Sequence, residues 1–327
     1  MKTFANRNAR DARHAATLAQ EAHRAGQSAA FVAGGSDLLA LVKERIVQPD
    51  VLVNLRNVRE ASRLVAADGT LTIGSGVTLD TLSRHDVVVS RFPVLAQAAG
   101  SVATPQIRNV GTLGGNVAQR PWCWYFRNGF PCYKAGGTQC FSFAGENQFH
   151  AIFGGGPSYI VHPSDTAPAL MALDASFLVS GPTGERTVAA KDFFVLPRQN
   201  AAQENVLGDD DVIVSIQVPS TFAGARGRYH KVLDREAWTH AVVSAAVVLQ
   251  MDGDVCRAAR VVLGGVAPIP WRLPEVEQLL TGERITDALA SKAGESSVTG
   301  ARALSKNAYK IPLTKGVVRR AILEARG

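Results

Sequence analysis

ATPQIRNVGTLGGNVAQRPWCWYFRNGFPCYKAGGTQCFSFAGENQFHAIFGGGPSYIVHPSD, residues Ala103 to Asp165, holds three of the chain's four cysteines, Cys123, Cys132 and Cys140. Glycine clusters stand on both sides, Gly111, Gly114 and Gly115 before and Gly154–Gly156 after. A glycine pair lets backbone N–H groups approach an anion that a Cβ would keep away. Three closely spaced cysteines in a loop read as a metal or cluster site more readily than as core. From Ile107 to Asn116 there is no regular period, and the Gly and Asn found there tolerate positive φ. Such a backbone suits wrapping around a ligand. Pro121–Phe153 then runs on without periodicity. A loop of that length in a compact domain is functional or disordered. Trp122, Trp124, Tyr125, Phe126 and Phe130 are too many aromatics for disorder, so an internal ligand is expected to hold the loop together.

A second glycine turn lies upstream. A short apolar run, Ala29–Val32, ends in Ala33-Gly34-Gly35-Ser36-Asp37, and a helix is expected from Leu38 to Glu44. A strand feeding a glycine pair and then a helix is an anion-binding arrangement. The residues alone read equally as a tight turn with a Ser/Asp cap.

Around these two motifs the periodicity predicts a mixed α+β chain. A helix covers Asp11–Ala25 and a strand Pro49–Leu55. A hairpin turns at Asp68-Gly69. Short helices follow at Thr78–Arg84 and Pro93–Ala99. Tyr159–Val161 reads as a strand, with Asp165 as the N-cap of a helix over Thr166–Leu173. Strands are expected at Ala175–Val179, Glu185–Val188 and Val212–Val218. The last third reads as three antiparallel strands, Gly227–Leu233, Ala241–Met251 and Ala258–Gly264. Helices follow at Pro274–Leu280, Ser291–Gly294 and Thr314–Ala325. The divisions expected are 1–58, 59–222 with an insertion at about 119–158, and 223–327.

With 327 residues, 46% hydrophobic and 19% charged, the chain has room for two or three domains with real cores. Four cysteines do not make a disulfide framework, and Cys256 reads as a lone buried thiol. The net charge of +7 comes from scattered basic residues with no long run, so nucleic acid is not an expected partner. The longest apolar run, Ala241–Leu249, is too short to span a membrane. Met1–Arg13 is polar and shows no signal peptide. The expectation is a cytoplasmic protein, or one exported to the periplasm on a signal-bearing partner.

Ala33-Gly34-Gly35-Ser36-Asp37-Leu38, the run Thr104-Pro105-Gln106-Ile107-Arg108-Asn109-Val110-Gly111-Thr112-Leu113-Gly114-Gly115-Asn116, and Ser164-Asp165 together resemble the flavoprotein (medium) subunits of the molybdenum hydroxylases. These are the xanthine dehydrogenase and carbon monoxide dehydrogenase relatives. The resemblance implies an α+β fold with FAD held between two N-terminal subdomains, followed by a small C-terminal α+β domain. It implies that Ala33, Gly34, Gly35, Ser36, Asp37 and Leu38 cradle the pyrophosphate. Thr104, Arg108, Thr112, Gly114, Gly115 and Asn116 would close on the other side. Asp165 would bond a ribose or ribityl hydroxyl, Ile213 would pack on the cofactor, and Lys231 would approach it. On the residues alone, Lys231 is equally a solvated strand lysine.

The cysteine insertion is similar to that of a subset of these subunits, among them those of bacterial periplasmic aldehyde oxidoreductases. In that subset the loop holds a [4Fe–4S] cluster on four cysteines. Here Cys123, Cys132 and Cys140 match, and Ser158 stands in the fourth place. A serine oxygen is a harder ligand than thiolate. A four-iron cluster, a three-iron cluster, zinc and an empty loop all remain open. The resemblance further implies partners: a molybdenum-cofactor large subunit and a [2Fe–2S] small subunit, as a heterotrimer or its dimer. Electrons would pass through FAD to an external acceptor. No side chain of this chain need act as acid or base. The competing readings are a stand-alone flavin oxidase, with His162 or His240 as base, and a non-enzymatic assembly subunit built on the metal loop.

Overall fold

The computed structural model describes residues 2–235 and 240–327. Three sheets succeed one another along the chain. The first is parallel, with β1 (Ala5–Asn8), β2 (Ala29–Val32) and β3 (Val51–Asn54) in the order β1-β3-β2. Parallel neighbours need a crossover. The helix Ala12–Arg24 supplies one, started by Asp11, whose carboxylate accepts from His14 N at 2.7 Å. Its Ala15, Leu18, Ala19 and Ala22 bury against Val51 and Val53. Strand β1 is polar and exposed throughout, so no hydrophobic pattern marks it in the sequence.

The second sheet has β4 (Leu64–Ala67), β5 (Thr70–Gly74), β6 (Ser176–Gly181), β7 (Gly184–Ala189) and β8 (Val212–Val218), all antiparallel, in the order β4-β5-β8-β6-β7. Helices Leu79–Arg84, Pro93–Gly100 and Thr166–Ala172 share its core, which includes Leu82, Leu95, Leu170, Phe177 and Ile216. The third sheet, β9 (Arg226–Val232), β10 (Val243–Asp252), β11 (Val255–Gly264) and β12 (Trp271–Arg272), is an antiparallel meander with β12 added to the three expected strands. Strand β10 is buried from Val243 to Leu249 because it has layers on both faces. Helices Asp287–Ser296 and Lys310–Arg326 cover one side, with Val317, Val318, Ala321 and Ile322 inward.

Two expectations change. Tyr159–Val161 joins no sheet; it is tied down singly, by Ala151 N to Tyr159 O and by His162 N to Ala267 O, both 2.9 Å. The aperiodic glycine run is not an open wrap either. It folds into two one-turn helices, Pro105–Val110 and Leu113–Val117, started by Thr104 and Thr112. Thr-Pro is itself a start signal, a hydroxyl cap followed by a φ preset for the first turn.

The residues before and within the last helix clasp the cysteine segment. Asn307 Nδ2 donates to His150 O, Tyr309 OH to Gln148 O, and Lys306 N to Asn147 Oδ1. Lys310, fully buried, donates to Phe149 O at 2.9 Å and Gly265 O at 2.7 Å. Burial pushes its ammonium down to about 7, whereas an unfolded lysine titrates near ~10.4. Between those values the unfolded chain holds a proton that the native chain lacks, so stability should rise with pH from about 7 upward. Urea midpoints at neutral and alkaline pH should show that rise in the wild type and lose it in Lys310→Met. Equal slopes in both proteins would remove Lys310 as the source.

Candidate functional site: a cleft between two glycine turns

The turn after β2 is packed against the second glycine motif with no space between. A Cβ added at Gly34 would lie 1.8 Å from Val110 O. Gly35 takes φ +74°, the left-handed region that favours glycine. Among the described residues, none of Gly34, Gly35, Ser36 and Asp37 spends its backbone N–H on another backbone group. Four amides without backbone acceptors, on a turn that opens with two glycines, are free to meet an anion. Ser36 and Asp37 line the cleft that opens beside it.

Across the cleft lie Gly111, Thr112, Gly115 and Asn116. Thr112 Oγ1 accepts from Gly115 N at 3.2 Å. Gly114 faces elsewhere: its N–H donates to Ser75 O at 2.7 Å, and a Cβ there would strike Ser75. It is a packing glycine, as Gly34 is. Thr104 starts the helix behind Ala103, which holds φ +42° in the cleft wall, and Arg108 Nη1 donates to Val102 O at 2.8 Å, bracing that wall. Ala33 and Leu38 lie beside the turn without lining the cleft. Ile213, on β8, pairs with Val179 of β6 and is buried in the second sheet's core; it is not among the residues that line the cleft.

Asp165 lines the cleft but does not cap its helix. Ser164 Oγ takes that role, accepting from Ala167 N at 3.0 Å. The Asp165 carboxylate instead faces β9: Tyr229 OH donates to Oδ1 at 2.7 Å and Lys231 Nζ to Oδ2 at 2.7 Å. Lys231 also donates to Ser101 O at 3.0 Å, and its side chain is only 5% exposed. It is therefore a buried partner, not a solvated strand lysine. Burial, with the Asp165 charge adding to it, drives the Tyr229 phenol well above its ordinary value, so it remains a donor. Asn116 Oδ1 accepts from Ser164 and Thr166, both at 2.6 Å, joining the second glycine motif to this network.

Gln119, Trp122, Pro163 and His240 also line the cleft, a place the sequence alone does not give them; Trp122 reads there as a loop aromatic and His240 as a possible base. His240 Nδ1 lies 3.3 Å from Pro163 O, and a carbonyl only accepts, so Nδ1 carries the hydrogen. Burial lowers its pKa, and its ring sits 5.0 Å from that of Trp122. His162 is outside the cleft, edge-on to Phe194, with its pKa lowered to about 3 by burial.

The cysteine segment has an aromatic core of its own. Tyr125, Phe130 and Phe141 pack edge and face, Phe143 stacks on Tyr159, and Phe126 buries with Leu41 and Cys132. Cys123 Sγ lies 3.3 Å from His150 Nε2 and Cys140 Sγ 3.1 Å from Ser142 Oγ. Burial raises the Cys123 thiol to about 11, and the neighbouring thiols of Cys140 and Cys132 add to the rise. Ser158 is buried. Among the described residues, no three His, Cys, Asp or Glu side chains gather as they would around a single metal ion.

A family model described as the FAD binding domain in molybdopterin dehydrogenase matches residues 8–221, and one described as the CO dehydrogenase flavoprotein C-terminal domain matches residues 228–325. The chain belongs to the FAD-binding medium subunits of the molybdenum hydroxylase family. It is 33% identical over 332 residues to the aldehyde oxidoreductase FAD-binding subunit PaoB of Escherichia coli (strain K12), covering 100% of this chain and 99% of that protein. It is 28% identical to the carbon monoxide dehydrogenase medium chain of Hydrogenophaga pseudoflava, covering 91% and 89%. Among solved structures, carbon monoxide dehydrogenase from that organism superposes with a TM-score of 0.77 at 25% identity, covering 98% of this chain and 96% of its own. Quinoline 2-oxidoreductase from Pseudomonas putida 86 also gives 0.77 at 25%, covering 100% and 98%. These relatives are FAD-dependent oxidoreductase subunits, and the mixed helix-and-sheet fold with its C-terminal domain is that of the family. Among the described residues, no helix is long and apolar enough to cross a membrane.

Proposed function

We propose that this chain is the FAD-carrying electron-transfer subunit of a molybdenum-containing aldehyde oxidoreductase. The observation that carries the reading is end-to-end likeness to an aldehyde oxidoreductase FAD-binding subunit, with the two glycine motifs meeting at one cleft. The residues fit the cofactor. The unspent amides of Gly34–Asp37 would hold the pyrophosphate. Thr112, Gly115 and Asn116 would form the opposite wall, and Asp165, held by Lys231 and Tyr229, would face the cofactor's hydroxyls. FAD supplies a carrier that accepts electrons singly and releases them in pairs. The chain's own task is placement: the Lys231–Asp165 pair fixes one wall, and the apolar Leu79, Val102 and Ile107 keep water from part of the cleft.

The partners proposed are a molybdenum large subunit, which oxidises the aldehyde, and a [2Fe–2S] small subunit, which delivers electrons here for transfer to an external acceptor. The three-part division at 1–58, 59–222 and 223–327 is supported by each sheet falling within one part. The finer proposal is an iron–sulfur cluster on Cys123, Cys132 and Cys140, with Ser158 in the fourth place. Its support is three cysteines without disulfide partners on one folded loop, with Cys132 and Cys140 near enough to Cys123 to act on its thiol electrostatically.

The purified chain should show the two-banded yellow spectrum of FAD. Iron and sulfide should accompany it in amounts that change with Cys132→Ser. A colourless folded protein would overturn the flavin reading; flavin without iron would remove the cluster alone. The position of His240 in the cleft wall is the one observation favouring a stand-alone flavin oxidase. Aldehyde should not bleach the flavin unless the molybdenum subunit is present; bleaching by this chain alone would decide for the oxidase.

A further inference from the structure

Arg127 belongs to the cysteine insertion, four residues beyond Cys123, yet its side chain reaches the first glycine turn. Nη2 donates to Asp37 Oδ1 at 2.7 Å and to Arg120 O at 2.9 Å, and Nε donates to Pro121 O at 2.8 Å. The backbone N–H of Arg120 takes the other Asp37 oxygen at 3.1 Å. Both oxygens of Asp37 are thus held by the insertion. The guanidinium carbon lies 4.4 Å from the centre of the Trp122 ring. Asp37 and Trp122, two of the side chains that Arg127 meets, both line the cleft. Arg127 Nη1 is buried and has no hydrogen-bond partner among the described residues. A buried guanidinium leaves a donor unused only at a cost of desolvation, so the free donor is suited to a further acceptor.

The cradle around it is an anion site. A dinucleotide pyrophosphate carries two negative charges, and Asp37 places a third at the same turn. Like charges at this range repel strongly in a partly buried cleft. The Arg127 cation cancels the Asp37 charge, and its spare N–H pair lies buried behind the part of the cleft wall that Asp37 and Trp122 form. Arginine suits this double role because its fork can serve a carboxylate on one edge and a phosphate on another.

We propose that the cysteine insertion is a working wall of the cofactor site, and that Arg127 contacts the phosphates of the bound dinucleotide while neutralising Asp37. This rests on the FAD reading above and adds to it a cationic contact that neither glycine motif supplies. It also ties the insertion to the flavin: whatever rearranges the segment around Cys123 moves a charge at the phosphates, so the two states are linked in both directions.

The test is titration of the flavin-free full-length chain with FAD and with riboflavin, which lacks the phosphates, followed by flavin fluorescence. Arg127→Met should weaken FAD by about 10- to 100-fold, the value of a charge-assisted hydrogen bond, and leave riboflavin within about threefold. Adding Asp37→Asn to Arg127→Met should recover part of the loss by removing the unmasked carboxylate. If riboflavin binds too weakly to titrate, ADP competing against FAD serves instead, and its inhibition constant should rise by the same factor. Arg127→Lys, which keeps the charge but not the fork, should fall between wild type and Arg127→Met, and it covers the case in which Arg127→Met does not fold. Unchanged FAD affinity overturns the proposal. So does an equal loss for FAD and riboflavin, which would make Arg127 a structural strut only. A wild-type chain that folds and binds no FAD overturns the flavin reading itself, a result distinct from either.

Discussion

Gly34→Ala should leave a protein that cannot retain FAD. The added Cβ would sit 1.8 Å from Val110 O and 2.7 Å from its carbonyl carbon. Both are backbone atoms, so no rotamer change relieves the overlap. The Val110–Gly111 peptide is itself fixed: Gly111 N donates to Ile107 O at 2.6 Å, and Gly111 O accepts from Leu79 N at 2.9 Å. Either turn must move by more than an ångström, which opens the cradle and the opposite wall together. The expected cost is about 3 kcal/mol or more of stability, with flavin absorbance lost on gel filtration. Gly316→Ala is the control. Gly316 lies within the last helix with no atom within 4 Å of an added Cβ, so the change should be neutral or stabilise by up to about 1 kcal/mol. A Gly34→Ala protein that keeps its flavin would show that the two motifs are not in the contact described.

Lys231→Met should cost about 3–5 kcal/mol in urea unfolding, because it strands the Asp165 carboxylate in a buried setting with Tyr229 as its remaining side-chain donor. The double variant Lys231→Met/Asp165→Asn removes the unpaired charge and should regain most of that stability. Flavin affinity should not follow stability, since the double variant restores the fold but not the charged carboxylate in the cleft wall. Additive losses in the double variant would mean that the two side chains do not act as a pair.

The residues that repeat a known chemical pattern were legible in the sequence, and the ones that meet only in space were not. Gly34, Gly35, Ser36, Asp37 and Thr112–Asn116 stand out by their resemblance to a family motif, and the structure brings both runs to one cleft. Their division of labour was hidden. Gly34 and Gly114 are glycine because another backbone or Ser75 lies against them, not because a ligand does. Asp165 has the place of a helix cap, but local spacing could not reveal Lys231 and Tyr229, 66 and 64 residues further on. Ile213 looks like any inward strand residue, and only the sheet order places it in the core. Arg127 drew no assignment because its partner lies 90 residues away in another glycine turn. Strand β1 escaped because an exposed polar edge carries no alternation.

The clasp between residues 147–151 and 306–310 has a consequence for the order in which the molecule matures. Tyr309 and the carbonyl it holds are 161 residues apart, and chains fold from the N-terminus as they are made. The cysteine segment therefore emerges long before the residues that fasten it exist. During that interval its thiols are open to oxidation and to metals. Closure of the clasp fastens the segment while Cys123 and Cys140 stay partly exposed, so any group that meets the thiols later does so on a loop already tied down.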